Sequence, residues 1–222
     1  YQYTLGGVGK TCMNCHKNRR NADTYVLTNV SSVHWGPHGS VQADNFFGRN
    51  AATFNGTAFL SNAHQFAVTD ACVTCHMVAT ADTGTVNRDK VGGHSWNLHN
   101  PATGYDHTTA CVTCHGPKNS FEDFEAAMDY DGDGSIEAIQ SEVDGLLAKI
   151  RFYLPPTGID SVSWAMIRDL NDLNVKKAYY NYSMIMNDGS RGMHNSKFAF
   201  DVLTKSYAAL GGIIPVELVS FS

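Results

Sequence analysis

Three copies of one pentapeptide bring two cysteine thiols and an imidazole together. Cys-x-x-Cys-His is the pattern by which c-type haem is attached to a chain. Two intervening residues place both sulfurs at one edge of a porphyrin, where each forms a thioether with a vinyl group, and the next residue lies under the iron. The sequence therefore predicts three covalent haems, with thioethers at Cys12, Cys15, Cys72, Cys75, Cys111 and Cys114 and proximal iron ligands at His16, His76 and His115.

Paired cysteines also build disulfide frameworks and structural zinc sites. All six cysteines of this chain fall within the three pentapeptides. A disulfide framework does not require a histidine after every second cysteine. Three zinc-type cysteine pairs, each with its own adjacent histidine, would be an odd stoichiometry. The pattern therefore favours haem over both alternatives.

The three motifs together resemble those of the multihaem c-type cytochromes. Thioether attachment in that family takes place outside the cytoplasm. The resemblance therefore implies an extracytoplasmic protein, in the periplasm, on the outer cell surface or in the extracellular space. The chain starts at Tyr1 without a methionine or a signal-peptide pattern, so we expect a mature or trimmed form.

Histidines beyond the three motifs are more numerous than three irons require. The sixth iron ligand is methionine or histidine in most cytochromes c. The excess of imidazoles predicts bis-histidine ligation at all three irons. Since only three distal ligands are needed, at least four of the remaining histidines have another role. The seven remaining histidines are His34, His38, His64, His94, His99, His107 and His194.

Four short segments resemble parts of surface multihaem cytochromes from metal-respiring bacteria. They are residues 35–44, 61–64, 92–96 and 188–195. Histidines in such segments commonly serve as distal ligands in that group. The resemblance therefore implies candidate distal ligands at His38, His64, His94 and His194. These exceed the irons by one, and the surplus histidine either supports another ligand or binds an iron in a neighbouring subunit. We expect His34, His99 and His107 to contact propionates or backbone groups.

Residues 129–140 align with the calcium-binding loop of an EF-hand. Alternating aspartates place several carboxylates on one side of a tight turn, which suits a hard cation. The twelfth position holds glutamine instead of a bidentate glutamate, so Glu137 or Glu142 is expected to supply the missing carboxylate. The alternative is a solvated acidic turn that caps the following helix. The sequence predicts structural Ca²⁺, with candidate ligands Asp129, Asp131, Asp133, Ser135, Glu137 and Gln140.

The elements that position these residues divide the chain into three parts, expected to form one compact unit. Residues 1–120 carry the haem motifs, residues 121–160 the calcium loop and a helix, and residues 161–222 further helices and an apolar tail. Little helical periodicity precedes residue 120. We therefore expect mostly irregular coil with short α-helices organised around three covalent haems, a more helical C-terminal third and little β structure.

Apolar residues at a spacing of three to four predict three longer helices in the second half of the chain. The first runs from Ile136 to about Leu154, where Pro155-Pro156 forbids continuation. The second runs from about residue 163 to 186, before a turn at 187–190. The third runs from about residue 196 to 210 and ends at Gly211-Gly212.

Composition excludes several classes of protein. Lys and Arg total 16 against 21 Asp and Glu, a net charge of −5, so the basic footprint of a nucleic-acid-binding protein is absent. Hydrophobic residues make up 43% and charged residues 17%, which argues against disorder. No apolar run reaches the roughly 18 residues of a transmembrane helix.

These patterns predict an electron carrier, not an enzyme. Irons with two histidine ligands leave no open position for a substrate, and short spacing between the motifs favours electron hopping between haems. The alternative is a multihaem oxidoreductase of the nitrite- or hydroxylamine-converting type with one open haem. We expect redox proteins or an extracellular acceptor as partners. A soluble monomer and a conductive homopolymer both remain open, the latter favoured by the apolar tail at residues 213–219 and the surplus histidine.

Overall fold

The computed structural model describes residues 2–28, 34–80 and 84–213. Within these ranges the regular structure is a series of helices with one two-stranded hairpin. The antiparallel hairpin joins β1 (His99–Asn100) to β2 (Tyr105–Asp106) and pairs His99 with Asp106. The α-helices are α1 (Lys10–Met13), α2 (Ala22–Tyr25), α3 (Gln42–Phe46), α4 (His64–Ala67), α5 (Cys72–His76), α6 (Val112–His115), α7 (Ile139–Tyr153), α8 (Trp164–Arg168), α9 (Leu173–Asp188) and α10 (Ser196–Ala209), and the 3₁₀ turns are Gly7–Gly9, Thr109–Cys111 and Phe121–Asp123.

Helices account for 42% of the described residues. The regular structure is therefore mostly helical with little β, and the predicted scarcity of strands is confirmed. The greater helix content of the C-terminal part is also confirmed, because α7, α9 and α10 are the long helices and all lie beyond residue 138. No helix in the described part of the chain is both long and apolar enough to cross a membrane.

The chain forms two compact units, each built from two separate segments. The motif unit comprises residues 1–15 and 63–125, and the helical unit comprises residues 16–62 and 126–222. The sequence analysis divided the chain into consecutive parts at residues 120 and 160. The observed units are different, because each combines segments that are distant in sequence. The difference arises because residues 16–62 pack with the distant C-terminal helices.

The helical unit contains a hydrophobic core formed largely by α7, α9 and α10. Val143, Leu146 and Ile150 on α7 are almost fully buried, as are Phe198 and Val202 on α10. Within each helix these buried residues are three or four positions apart, so they lie on one face. The periodicity in the sequence therefore identified the core of this unit.

The predicted helix boundaries are confirmed where proline or glycine sets them. Helix α7 ends at Tyr153, and Leu154 is already extended because it precedes a proline. Helix α10 ends at Ala209, just before Gly211, whose φ of +88° continues no helix. The start of α7 at Ile139 lies three residues after the predicted start, since Ile136 is 53% exposed and precedes the helix.

The helix predicted over residues 163–186 is wrong as a single element, because it divides into α8 and α9. Ser163 caps α8 by accepting a hydrogen bond from the backbone of Met166. Asp172 caps α9 by accepting hydrogen bonds from the backbone N–H groups of Asn174 and Val175. A side-chain cap of this kind starts a new helix where apolar spacing alone predicts continuity.

Candidate functional site

All six cysteines lie in the motif unit, on or beside short helical turns. Cys12 is in α1, the second motif forms α5, and the third continues from a 3₁₀ turn into α6. The predicted short helices at the motifs are confirmed. On a helical turn, residues three apart share a face, so both thiols of a motif lie on one side. All six cysteines are free thiols, which gives no support to a disulfide framework.

Thiols of different motifs lie beside one another within this unit. Cys72 interacts with Cys12, and Cys75 interacts with Cys111. Burial raises the pKa of Cys72 to about 11, with a further contribution from Cys12. Burial likewise raises the pKa of Cys75 to about 11, with a contribution from Cys111. These thiols therefore stay protonated at neutral pH, unlike the lowered-pKa thiols of Cys-x-x-Cys redox catalysts.

The geometry also does not favour a zinc site. A tetrahedral site needs four ligands close to one metal. Among the described residues, no group of three cysteine, histidine or acidic ligand atoms within 4.8 Å of one another contains a cysteine. Cysteines of different motifs are thus neighbours, but they do not form the group of cysteine and histidine ligands that a zinc site requires.

The imidazole of His16, in the helical unit, is held in one tautomer. Its Nδ1 donates to Oε1 of Gln42 at 2.9 Å. The amide of Gln42 is itself oriented, because its Nε2 donates to the carbonyl oxygens of Asn187 and Asp188. Since the amide oxygen must then face His16, Nδ1 carries the ring proton and Nε2 carries the lone pair. This is the state of a histidine that ligates metal through Nε2.

His76, in the motif unit, has an equivalent arrangement. Its Nδ1 donates to the backbone oxygen of Trp96 at 2.8 Å. A carbonyl can only accept, so this bond also assigns the lone pair to Nε2. The proximal ligands predicted in the first two motifs therefore both have the tautomer that iron ligation needs.

His115 of the third motif lies close to His64, one of the predicted distal ligands. Their ring centroids are 6.0 Å apart and the rings are nearly perpendicular, at 87°. The ring centroid of Phe124 lies 5.4 Å from that of His115. Two imidazoles on opposite sides of one metal, each with a metal–nitrogen bond of about 2 Å, have centroids about 6 Å apart. The structure places a predicted proximal and a predicted distal histidine beside each other.

His194, in the helical unit, is bound by an acid. Its Nδ1 donates to Oδ1 of Asp188 at 2.8 Å, and Ser190 donates to the other oxygen of the same carboxylate. Burial lowers the pKa of His194, but the charge of Asp188 and this hydrogen bond outweigh it, so the pKa is raised overall. Asp188 is almost fully buried, which makes it a rigid anchor.

The other two predicted distal ligands are less constrained. The Nδ1 of His38 lies 3.2 Å from the carbonyl and 3.3 Å from the N–H of Ser40, so its tautomer is not fixed. His94 is exposed, and its ring has no hydrogen bond to any described residue. The structure therefore does not place His38 or His94 against an acceptor that orients them for a metal.

His99, which sequence reasoning set aside, is as well oriented as His194. Its Nδ1 donates to Oδ1 of Asp106 at 2.7 Å, and Oδ2 of Asp106 accepts from Ser120 Oγ at 2.8 Å. The sequence carried a signal for this contact in the turn residues Pro101 and Gly104, which indicate a hairpin. Only the pairing register of that hairpin places His99 opposite Asp106.

His107, also in the motif unit, has an unusual environment. It is 3% exposed and lines a cavity of about 130 Å³. Its Nδ1 lies 3.5 Å from the hydroxyl of Tyr105, whereas its buried Nε2 has no hydrogen-bond partner among the described residues. A buried polar atom normally has a partner, so this nitrogen indicates a place for a polar group from outside the chain.

The acidic loop of the helical unit brings three carboxylates together. Ligand oxygens of Asp129, Asp131 and Glu142 lie within 4.8 Å of one another. Burial raises the pKa of Asp131; the ammonium of Lys149 opposes this rise and the charge of Asp133 adds to it. Among the residues predicted from the EF-hand template, Asp133, Ser135 and Glu137 are exposed.

Gln140, the twelfth residue of the template, lies elsewhere. Its side chain donates to the carbonyl of Ser190 and accepts from Arg191. Glu142 takes the position inside the loop instead, and its carboxylate is fully buried. Of the two acids that sequence reasoning offered for the missing carboxylate, the structure places Glu142 in the group.

No protein-family model, curated protein or solved structure matches this chain.

Proposed function

We propose that this protein is a trihaem c-type cytochrome that carries electrons outside the cytoplasm and is not an enzyme. The observation that carries the proposal is that all three Cys-x-x-Cys motifs lie in a unit whose described residues form no hydrophobic core of their own. Redox proteins or an extracellular acceptor are the partners that such a carrier requires.

The motif unit has few buried apolar side chains for its size. The described ones are Tyr3, Met13, Ala71, Val91 and Phe124. The hydrophobic core cluster of the chain consists entirely of residues from the helical unit. A unit of 78 residues (15 and 63 from its two segments) needs more buried apolar surface than five side chains provide. Large flat apolar groups attached to its six cysteines would supply that surface.

Large apolar side chains in the motif unit are instead exposed. Phe66 and Val86 are each 72% exposed, Val8 is 61% exposed and Trp96 is 57% exposed. A porphyrin attached within the same unit would cover exposed apolar side chains of this kind. These side chains therefore fit a unit whose polypeptide surrounds porphyrins.

The polar groups of the chain also fit haem. His16 and His76 have Nδ1 bound to an acceptor, so Nε2 of each presents its lone pair for iron. His64 and His115 have the separation of two ligands on one iron. The unsatisfied Nε2 of His107 would donate to a propionate, as predicted for this residue.

The haem supplies one-electron chemistry, and the chain sets its potential through ligand identity, hydrogen bonding and burial. Imidazoles on both faces exclude substrate from the iron, so the residues favour electron transfer over catalysis. Gln42 and the carbonyl of Trp96 each hold an imidazole against rotation. Fixed ligands keep the geometry similar in both oxidation states, which keeps the reorganisation energy small.

Calcium is proposed as a structural ion of the acidic loop. The ligand atoms of Asp129, Asp131 and Glu142 are all carboxylate oxygens, which suit a hard cation. The mutual repulsion of these acids is compensated in part by Lys149, whose ammonium donates to the carbonyl of Asp131. A bound cation would compensate the rest, and would hold residues 129–137 against the start of α7.

The first prediction tests the haem proposal directly. The intact native protein is expected to exceed the mass of its polypeptide by three haem units, and acid–acetone extraction is expected to remove none of them. The physical reason is that each motif forms two thioether bonds. An excess of two units or fewer contradicts the proposed count, and no excess contradicts the function.

Copies of this chain are further proposed to associate into a conductive filament. Support comes from the surplus of histidines over irons. The apolar tail that sequence analysis assigned to assembly lies outside the described residues from position 214 onwards. A head-to-tail contact that does not close would produce an open filament.

The second prediction concerns this assembly. Negative-stain microscopy of the concentrated native protein is expected to show filaments. Substitution of a histidine donated between copies, among His38, His64, His94 and His194, is expected to dissolve the filaments and to make one haem high-spin. Uniform particles of monomer mass, with every axial ligand supplied within one chain, would contradict the filament.

A further inference from the structure

Two histidines in this chain are held by the same three-residue arrangement. In the helical unit, Ser190 donates to one oxygen of Asp188 and His194 Nδ1 donates to the other. In the motif unit, Ser120 donates to Oδ2 of Asp106 and His99 Nδ1 donates to Oδ1. The two sites have unrelated local folds, since one lies at a helix end and the other on a hairpin.

The arrangement at His99 fixes the tautomer of the imidazole. Because a carboxylate only accepts, Nδ1 keeps its proton and the lone pair is on Nε2. A hydrogen bond to a carboxylate also fixes the orientation of the ring, which prepares it as a metal ligand. The Nε2 of His99 has no hydrogen bond to any described residue, and the side chain is 55% exposed. His99 therefore presents an oriented nitrogen at the surface of the motif unit.

The supporting carboxylate is itself rigid. Asp106 is 9% exposed, and its Oδ2 also accepts from the backbone N–H of Phe121 at 2.9 Å. Its Oδ1 accepts from His99 at 2.7 Å, so both oxygens of the carboxylate are held.

Asp106 also connects His99 to the third haem motif. It precedes Cys111 in sequence, whereas its partners Ser120 and Phe121 follow His115. A second bond, from Thr108 Oγ1 to the carbonyl of Lys118 at 2.5 Å, closes the same loop. The carboxylate of Asp106 therefore both orients the His99 ring and connects the two ends of the loop that carries the third motif.

We infer that His99 is an axial ligand of one of the three irons and that Asp106 is the residue that positions it. This inference rests on the proposed function, because it requires haem. His99 is better prepared for ligation than His38 and His94, whose rings lack a fixed acceptor.

The third prediction tests this inference on the haem-loaded protein. His99→Ala is expected to convert one third of the ferric iron from low-spin to high-spin in the EPR spectrum, and added imidazole is expected to restore the low-spin signal. Asp106→Asn keeps an acceptor for Nδ1 but removes the charge. It is expected to leave all irons low-spin while favouring reduction of one haem about tenfold, a shift of 59 mV in a potentiometric titration.

Asp123→Asn is the matched control, because Asp123 lies in the same loop and its carboxylate accepts from the backbone N–H groups of Asn119 and Ser120. It is expected to leave spin state and potentials unchanged. Three low-spin irons in His99→Ala would overturn the inference. Should that variant fail to fold, three unshifted potentials in Asp106→Asn overturn it instead. The haem count from intact mass is measured separately, so a failure of the proposed function is distinguished from a failure of His99 as a ligand.

Discussion

Replacing Cys72 and Cys75 by serine is expected to remove one haem and to unfold the motif unit, while the helical unit stays folded. The reason is the unequal distribution of apolar side chains between the units. Few buried apolar residues lie in the motif unit, whereas α7, α9 and α10 of the helical unit pack on one another. Loss of a porphyrin would therefore remove core from the first unit alone.

The free energy lost with one haem is expected to be comparable to the free energy of unfolding of a whole domain. A porphyrin has four pyrrole rings, so it buries roughly 400 Å², about twice the area of one large aromatic side chain. At roughly 25 cal/mol per Å², this burial corresponds to about 10 kcal/mol. A whole domain is typically stable by only about 5–15 kcal/mol. Loss of one haem is thus sufficient to unfold a unit that depends on it.

Hydrogen exchange read peptide by peptide measures this selectivity. In the double serine variant, amides of residues 63–125 are expected to lose their protection, and those of α7, α9 and α10 are expected to retain it. Thr74→Ser is the control, because it changes an exposed residue between the same cysteines and keeps the attachment pattern intact. Full protection of residues 63–125 in the double variant would show that their fold does not depend on haem.

The parts of the fold that sequence predicted are those set by local chemistry. Prolines at 155 and 156 and glycines at 211 and 212 mark the ends of α7 and α10, because proline breaks a helix and glycine readily adopts the left-handed conformation that ends one. The division between α8 and α9 was missed because apolar spacing continues across it. The cap at Asp172 is local as well, but a single aspartate in a long apolar pattern is a weaker signal than a proline.

The candidate site likewise contains residues that a local pattern predicts and others that depend on contacts between distant parts of the chain. Cysteines and proximal histidines follow from a five-residue pattern, so the sequence alone predicts them. The groups that orient these histidines come from elsewhere in the chain. Gln42, which holds His16, is itself oriented by a carbonyl 145 residues away. The register that pairs His99 with Asp106 likewise depends on the folded hairpin, so sequence reasoning ranked His99 too low for a ligand.

Glu142→Gln is expected to destabilise the helical unit by about 3 kcal/mol and to abolish its dependence on calcium. The carboxylate of Glu142 is fully buried and accepts from the backbone N–H groups of Tyr130, Asp131 and Glu137 at 2.8–3.1 Å. Hydrogen bonds to a charged group contribute about 1.5–3 kcal/mol each, and an amide replaces one of the two accepting oxygens by a donor. The same change removes one of three carboxylates that face a common point.

Denaturant unfolding with and without a calcium chelator measures both effects. In the wild type, a chelator is expected to lower the free energy of unfolding, by about 2.7 kcal/mol if free calcium is a hundredfold above its dissociation constant. In Glu142→Gln the chelator is expected to have no effect. Asp144→Asn is the matched control on the same helix: its carboxylate is 48% exposed and pairs with Arg191, so we expect a loss of about 0.5 kcal/mol and full calcium dependence.

The two parts of this prediction can fail separately. If Glu142→Gln is no less stable than Asp144→Asn, the buried carboxylate does not hold the loop backbone. If the wild type contains no calcium by metal analysis and its unfolding is insensitive to the chelator, the group formed by Asp129, Asp131 and Glu142 is only an acidic turn. In that case the three N–H bonds of Glu142 and the ammonium of Lys149 are what compensate its charges. That outcome would be identified by a Glu142→Gln variant that is less stable than a wild type insensitive to the chelator. The substitution removes hydrogen bonds of Glu142, whereas the chelator removes only a bound ion, so the two measurements separate these contributions.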